Sequence, residues 1–393
     1  MKGHIRERSP GHWAIVLSMP AGPGRKRRLK WHSFKGTKRE AQTECARLIT
    51  ELQKGSYVEA TKVTVADHVR ARIDQWEAAD DISAKTAERY RELLDNQIVP
   101  HIGAKALQKL KSLDIEAWHT KLRKSGRKDG KGGVSGQTIR QAHRVLSKAL
   151  REAARHDLVV KNVAAEEGAP KVSNDEMVIL TEEQLIDLPA KLIGYAIRPR
   201  AITAVYTGVR RGELLALRWK NVDLDAKVIR IRESLEETRA RSMRQLRFKA
   251  PKTKQGVRDV TLPDIVVETL REHRKAQLET RLALGLGRID PDTLVFPAAP
   301  DHTDPLAPSS LTAEWRYIAN AIGLVGISFH ALRHTHASQL IDQGVDVVTI
   351  SRRLGHASPA ITLKVYAHLF RKDDSKAAEA INAALANKNK IDR

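Results

Sequence analysis

Apolar positions recur along this chain in three regimes. Between residues 11 and 60 two short runs, HWAIVLS and RLKWHSF, flank the Pro/Gly turn PAGPG, a pattern that predicts two strands joined by a turn. Behind them Ala41, Cys45, Leu48 and Leu52 recur at helical spacing in TKREAQTECARLITELQKG, and Gly55 supplies a stop. From Val63 to about Ala165 the pattern is helical throughout. TVADHVRARIDQW, SAKTAERYRELLDNQIVPHIG, SLDIEAWHTKLRKSG and SGQTIRQAHRVLSKALREAARHD each carry one apolar stripe and one polar face. Their connections are short, apart from the glycine-rich, basic SGRKDGKGGVSG, so a compact helical bundle is expected. The stretch AAEEGAPKVSNDEM breaks the pattern and reads as a linker. Beyond it helices dominate again, with one β-insertion at KVIRIRES, RQLRFKA and GVRDVTLP.

The expected fold is multidomain, mainly α with small β-sheets. An α+β unit spans 1–60, an all-α bundle 61–168, and a mixed, mainly-α domain 175–393. A chain of 393 residues can bury a core in each part. No internal repeat or low-complexity tract interrupts it.

Charge narrows the class of partner. The 69 Lys and Arg against 47 Asp and Glu give a formal charge of +22, an excess that favours a polyanion through counterion release. The single cysteine, Cys45, excludes an internal disulfide framework and fits a reducing compartment. No apolar run approaches the roughly 20 residues that span a bilayer. The opening MKGHIRERSPGH has no apolar core behind it, so a secretory signal is not expected. Action in the cytoplasm, at the nucleoid, is the expectation.

Candidate chemistry lies in the third regime. In TGVRRGELLALRW, Arg210 stands at the start of a helix marked by Leu214, Leu215 and Leu217, a place suited to phosphate. Glu213 is within reach to orient the guanidinium, although Arg and Glu at a helix start also form plain surface pairs. APKTKQGVRDVTLP reads as a strand, a tight turn carrying Lys252 and Lys254, and a return strand. FHALRHTHASQL, capped by Ser328 and stopped by Gly344, places His330 and Arg333 on one helix face and Leu332, His336 and Leu340 on another. His330 and His334 have the spacing of a zinc motif, but Ala331 stands where a water-activating Glu is needed and no third ligand is evident. VVTISRRLGHASPAITLKVYAH sets His356 in a turn after Gly355, with Tyr366 about two turns along the helix opened by Ser358 and Pro359. Near the N-terminus Arg25, Lys26, Arg27 and Arg28 form a basic cluster that is either a solvated hairpin or a DNA contact.

Taken in order, these segments resemble the tyrosine recombinase family of the phage-integrase type. The matching residues are Arg210 in TGVRRGE, Lys252 in PKT, His330 and Arg333 in HALRH, His356 in LGH and Tyr366 in VYAH, with Lys254 as an alternative for the lysine. The match covers roughly 175 to 393, the expected catalytic domain. The bundle is similar to the family's core-site-binding domain, and the N-terminal unit to the arm-binding domains of element integrases, which favours an integrase of a phage or integrative element over a Xer-type resolvase.

The resemblance implies strand cleavage through a covalent 3′-phosphotyrosine, with no metal, ATP or other cofactor. Tyr366 is then the nucleophile, Arg210 and Arg333 the phosphate clamps, Lys252 the general acid, His330 the proton acceptor and His356 a further phosphate donor. Glu213 supports Arg210, while His334 and His336 serve packing. Implied partners are double-stranded DNA at core and arm sites, three further copies in a homotetramer, and DNA-bending or directionality factors. The tail DDSKAAEAINAALANK, with Ala377, Ile381, Ala384 and Leu385 in a stripe, docks on a neighbouring subunit or on its own domain. Rival readings are a Xer-like recombinase, a type IB topoisomerase, a catalytically silent DNA-binding protein and, more distantly, a zinc hydrolase.

Overall fold

The computed structural model describes residues 3–18, 29–54, 57–172, 178–240, 243–251, 253–299, 301, 303–370, 378–379 and 381–382. The basic cluster Arg25 to Arg28, the candidate acid Lys252, and Ala377, Ala384 and Leu385 of the tail lie outside the described residues. The chain divides into two compact units, Met1–Asn174 and Asp175–Arg393.

In the first unit β1 (Gly3–Ser9), β2 (His12–Ser18) and β3 (Leu29–Lys35) form an antiparallel sheet with β2 central. Trp13 through Leu17 are all buried, as a central strand requires. The residue pattern does not signal β1, because GHIRERS alternates too weakly, although the likeness to arm-binding domains implies a three-stranded sheet. Helix α1 (Lys38–Gln53) starts at a Thr37–Glu40 capping box and lays Ala41, Cys45 and Leu48 against the sheet.

The bundle follows as α2 (Val65–Ala78), α3 (Ala84–Leu93), α4 (Ser112–Ser125), α5 (Gly136–Arg155) and the short α6 (Val163–Glu167). The expected single helix over 83–103 is two pieces: α3 gives way to a π-helical stretch over Leu94–Gly103. Pro100 lies inside that stretch and has no N–H for the α-helical ladder, so the coil widens there. Leu94, Ile98 and Ile102 nevertheless stay buried, four residues apart. Part of the expected linker is ordered as α6, capped by the Asn162 side chain.

The second unit opens with α7 (Glu182–Lys191), α8 (Arg198–Thr207) and α9 (Arg211–Leu215). Its strands are β4 (Val222–Asp223), β5 (Val228–Ile231), β6 (Ser234–Ala240), β7 (Met243–Lys249) and β8 (Arg258–Thr261). The expected hairpin between RQLRFKA and GVRDVTLP does not exist. Strand β7 pairs with β6, whereas β8 pairs with β5 in the β4-β5-β8 sheet. The chain around Lys254 is thus a crossover between sheets, turned by a 3-10 segment at Lys254–Gly256 under a Thr253 cap. Strand β6 escaped notice because SLEETRA is mostly polar.

Helices α10 (Asp264–Ala283), α11 (Pro308–Ala321), α12 (Phe329–Asp342), α13 (Val347–Leu354) and α14 (Pro359–Tyr366) complete the unit. Trp315 on α11 is fully buried and donates to the Ile327 carbonyl at 2.9 Å, which fixes the approach to α12. Ser328 caps α12 as expected, its side chain accepting from Ala331 N. Gly355 ends α13 in the left-handed conformation, with φ 67°. Ala337 and Ile341 of α12 pack with Ile350 and Leu354 of α13 and the ring of Tyr366.

Candidate active site

Arg210 precedes α9 in extended conformation and is anchored twice by the buried Glu213. Its backbone N–H donates to Oε2 at 2.9 Å, and Nη1 donates to Oε1 at 2.8 Å. Nη2 reaches the carbonyl of Gly355 at 2.9 Å. Glu213 also receives a guanidinium that the sequence did not single out. Arg258 of β8 donates through Nη2 to Oε2 at 2.9 Å and through Nη1 to Oε1 at 3.2 Å, while its Nε donates to the Arg353 carbonyl at 2.6 Å. Burial pushes the Glu213 pKa up, but the bonds and charge of Arg258, then Arg210, outweigh it and hold the carboxylate below its ordinary range.

Arg333 is buried in α12, and its partners are neutral: Nη1 donates to the Gly208 carbonyl at 2.6 Å and Nη2 to that of Leu354 at 2.8 Å. Burial, with Arg210 close by, pushes its pKa down to about 9. Among the described residues, Arg210 and Arg258 pair with the one carboxylate of Glu213, while Arg333 forms no ion pair. Three guanidiniums against one carboxylate leave an excess of positive charge here, which is the condition for capturing an anion.

Two glycines make this aim possible. Gly208 has φ 67°, and a Cβ there would lie 2.5 Å from Cδ2 of His336; a Cβ on Gly355 would lie 2.7 Å from Nη1 of Arg258. Gly208→Ala is expected to destabilise the protein by more than the roughly 1–2 kcal/mol that left-handed backbone alone costs a side chain, read as a lowered urea midpoint.

The histidines divide by environment. His330 is exposed, and protein crowding together with Arg333, Arg210 and Arg211 lowers its pKa. His356 lies in the turn before α14, its Nδ1 2.8 Å from Thr362 Oγ1; burial, then Arg333 and Arg210, push it down to about 4. His336 is buried, accepts from Arg353 Nε at 2.9 Å, and serves packing as expected. His334 does not. Its Nδ1 lies 2.5 Å from the hydroxyl of Tyr366, and its ring meets that of His330 edge-on at 4.6 Å.

Tyr366 closes α14 with 2% of its surface exposed. Burial pushes its hydroxyl up to about 12, partly opposed by the charge of Arg333. The structure thus brings Arg210, Glu213, His330, Arg333, His356 and Tyr366 into one site. It adds Arg258 and His334, and leaves Lys252 and the basic cluster 25–28 outside the described residues. His334 was findable, since residues four apart stack on a helix face. Arg258 becomes visible only through the pairing of β8 with β5.

The model of the phage integrase family matches residues 179–373, and that of the phage integrase N-terminal SAM-like domain matches residues 71–123. The chain belongs to the phage integrase family. The integrase is therefore an enzyme of the tyrosine-recombinase type, which carries out site-specific recombination. It is 25% identical over 364 residues to a tyrosine recombinase XerC-like protein of Caldanaerobacter subterraneus subsp. tengcongensis, covering 88% of this chain and 90% of the relative. It is 23% identical over 388 residues to the ICEBs1 integrase of Bacillus subtilis, covering 97% of this chain and all of the relative. It shares its fold with the Tn1549 transposon integrase in complex with transposon right end DNA (TM-score 0.64, 19% identity, 82% of this chain and 99% of that one). The same holds for a lambda integrase tetramer bound to a Holliday junction (TM-score 0.53, 19% identity, 90% and 96%). No helix among the described residues is long and apolar enough to cross a membrane.

Proposed function

We propose that this integrase cuts and rejoins DNA strands through a phosphotyrosine at Tyr366, moving a phage or integrative element into or out of a bacterial chromosome. The observation that carries the reading is the cluster of Arg210, Arg258 and Arg333 around one carboxylate, with the Tyr366 hydroxyl in the same site. A DNA phosphodiester supplies the missing negative charge. Arg210 and Arg333 hold its non-bridging oxygens and offset the charge that builds in the transition state. Each guanidinium is already fixed by backbone carbonyls, so little ordering remains when the phosphate arrives.

Tyr366 Oη forms a bond to phosphorus as the bond to the 5′-oxygen breaks. Lys252 protonates the departing oxygen, with Lys254 as the alternative, and His330 and His356 flank the phosphate. Because the phosphodiester becomes a phosphotyrosine ester, its energy is kept and neither ATP nor a metal ion is needed.

The bundle over 61–168 grips the core site, and the unit over 1–60, with Arg25, Lys26, Arg27 and Arg28, contacts arm sites. Four copies assemble on two duplexes, helped by the tail beyond Tyr366 and by DNA-bending or directionality factors. The Tn1549 integrase in complex with transposon right end DNA and the lambda integrase tetramer bound to a Holliday junction support this assembly. The test is a nicked duplex carrying the element's core site, incubated with the protein in EDTA. A denaturation-resistant adduct mapping to the Tyr366 peptide is expected; its absence on a site the protein binds would leave only a DNA-binding role.

A further inference from the structure

We infer that His334 is a catalytic residue that accepts the proton of the Tyr366 hydroxyl. The inference rests on the assignment of Tyr366 as nucleophile. Its basis is geometric: Nδ1 of His334 lies 2.5 Å from the hydroxyl oxygen, at the short end of the hydrogen-bond range. The two rings are tilted by 57° with centroids 5.7 Å apart, so contact is made through the ring nitrogen rather than by stacking. His330, one helical turn earlier, sits edge-on to His334 on the exposed, arginine-rich side of the site. The two imidazoles therefore divide the work, His330 beside the phosphate and His334 on the nucleophile.

Electrostatics agree with a neutral acceptor. Burial, then His330 and Arg333, push His334 down to about 4, so at neutral pH its ring is uncharged and has a lone pair to offer. The groups facing it are His330 and Arg333 on α12, Tyr366 from α14, and His356 in the turn before α14. Arg353 on α13 is turned away to His336, and Tyr206 on α8 donates to the Leu185 carbonyl. Glu314 on α11 is held by Arg200.

In cleavage the O–H bond of Tyr366 breaks and an N–H bond forms at Nδ1. The phenolate oxygen bonds to phosphorus, and the 5′-oxygen leaves with a proton from the lysine. In rejoining, a 5′-hydroxyl attacks the phosphotyrosine, its proton passes back to the lysine amine, and the His334 N–H returns its proton to the tyrosine. Each proton ends where it began.

His334→Asn keeps an acceptor atom near the Nδ1 position but cannot take a proton; His334→Ala opens room for added imidazole. Single-turnover adduct formation on the nicked duplex is followed against pH, with DNA affinity as the check on folding. Both variants should bind DNA as the wild type does and lose about a hundredfold or more in rate at neutral pH. Across the pH range in which the duplex is stable their rates should rise more steeply with pH than the wild-type rate, as the small phenolate fraction grows, and imidazole should accelerate His334→Ala. Wild-type rates in His334→Asn would overturn the inference, as would a loss that is the same at every pH and indifferent to imidazole. An adduct with Tyr366→Phe would instead remove the nucleophile assignment beneath it.

Discussion

Tyr366→Phe gives no denaturation-resistant adduct on the nicked core-site duplex, while its affinity for that duplex changes by no more than about twofold. The substitution removes one oxygen, and with it the atom that must bond to phosphorus. The ring stays where it is, among Ala337, Ile341, Ile350 and Leu354. The hydroxyl's contact with His334 is lost, which costs about 0.5–1.5 kcal/mol of stability for a single hydrogen bond. A folded, DNA-binding protein with no covalent chemistry is therefore the expected product, measured by adduct yield, gel shift and denaturant midpoint together. An adduct of undiminished yield would move the nucleophile to another residue.

Glu213→Ala has the largest expected effect on stability. Its side chain and that of Arg258 are 3% and 7% exposed, so removal leaves a buried guanidinium without its carboxylate. Breaking a buried pair from one side costs about 3–5 kcal/mol, read as a fall in the urea midpoint. Activity should fall with it, because Arg210 loses both a side-chain and a backbone anchor. The wild type carries the same dependence in its pH profile. The folded pKa of Glu213 lies below its ordinary value of 4.5, so its contribution is fully present above that value. It is lost as pH falls through the lower, folded pKa. Acid titration of stability should show this limb in the wild type and lose it in Glu213→Gln, whose amide keeps some of the bonds but does not titrate.

Much of this was written openly in the sequence where local rules and tertiary packing agree. Ser328 caps α12 and Gly355 stops α13 because these residues solve the same terminal hydrogen-bond problem in any context. What escaped depends on pairing across distance. Strands β1 and β6 are polar, and only neighbours supply their burial and bonds. The false hairpin over β7 and β8 came from reading two adjacent strands as partners, when Arg258 must face Glu213 from the sheet built on β5. Arg258 looks like any strand arginine until that register is known. The contact of His334 is hidden for the same reason: nothing within α12 reveals that Tyr366 meets it from the end of α14.

The order in which the site's parts are synthesised sets when it can act. Arg210 and Arg333 leave the ribosome before the carbonyls of Gly355 and Leu354 that aim them, and before Tyr366 itself. A nascent chain halted ahead of α13 has neither the carbonyls that aim the clamps nor the nucleophile.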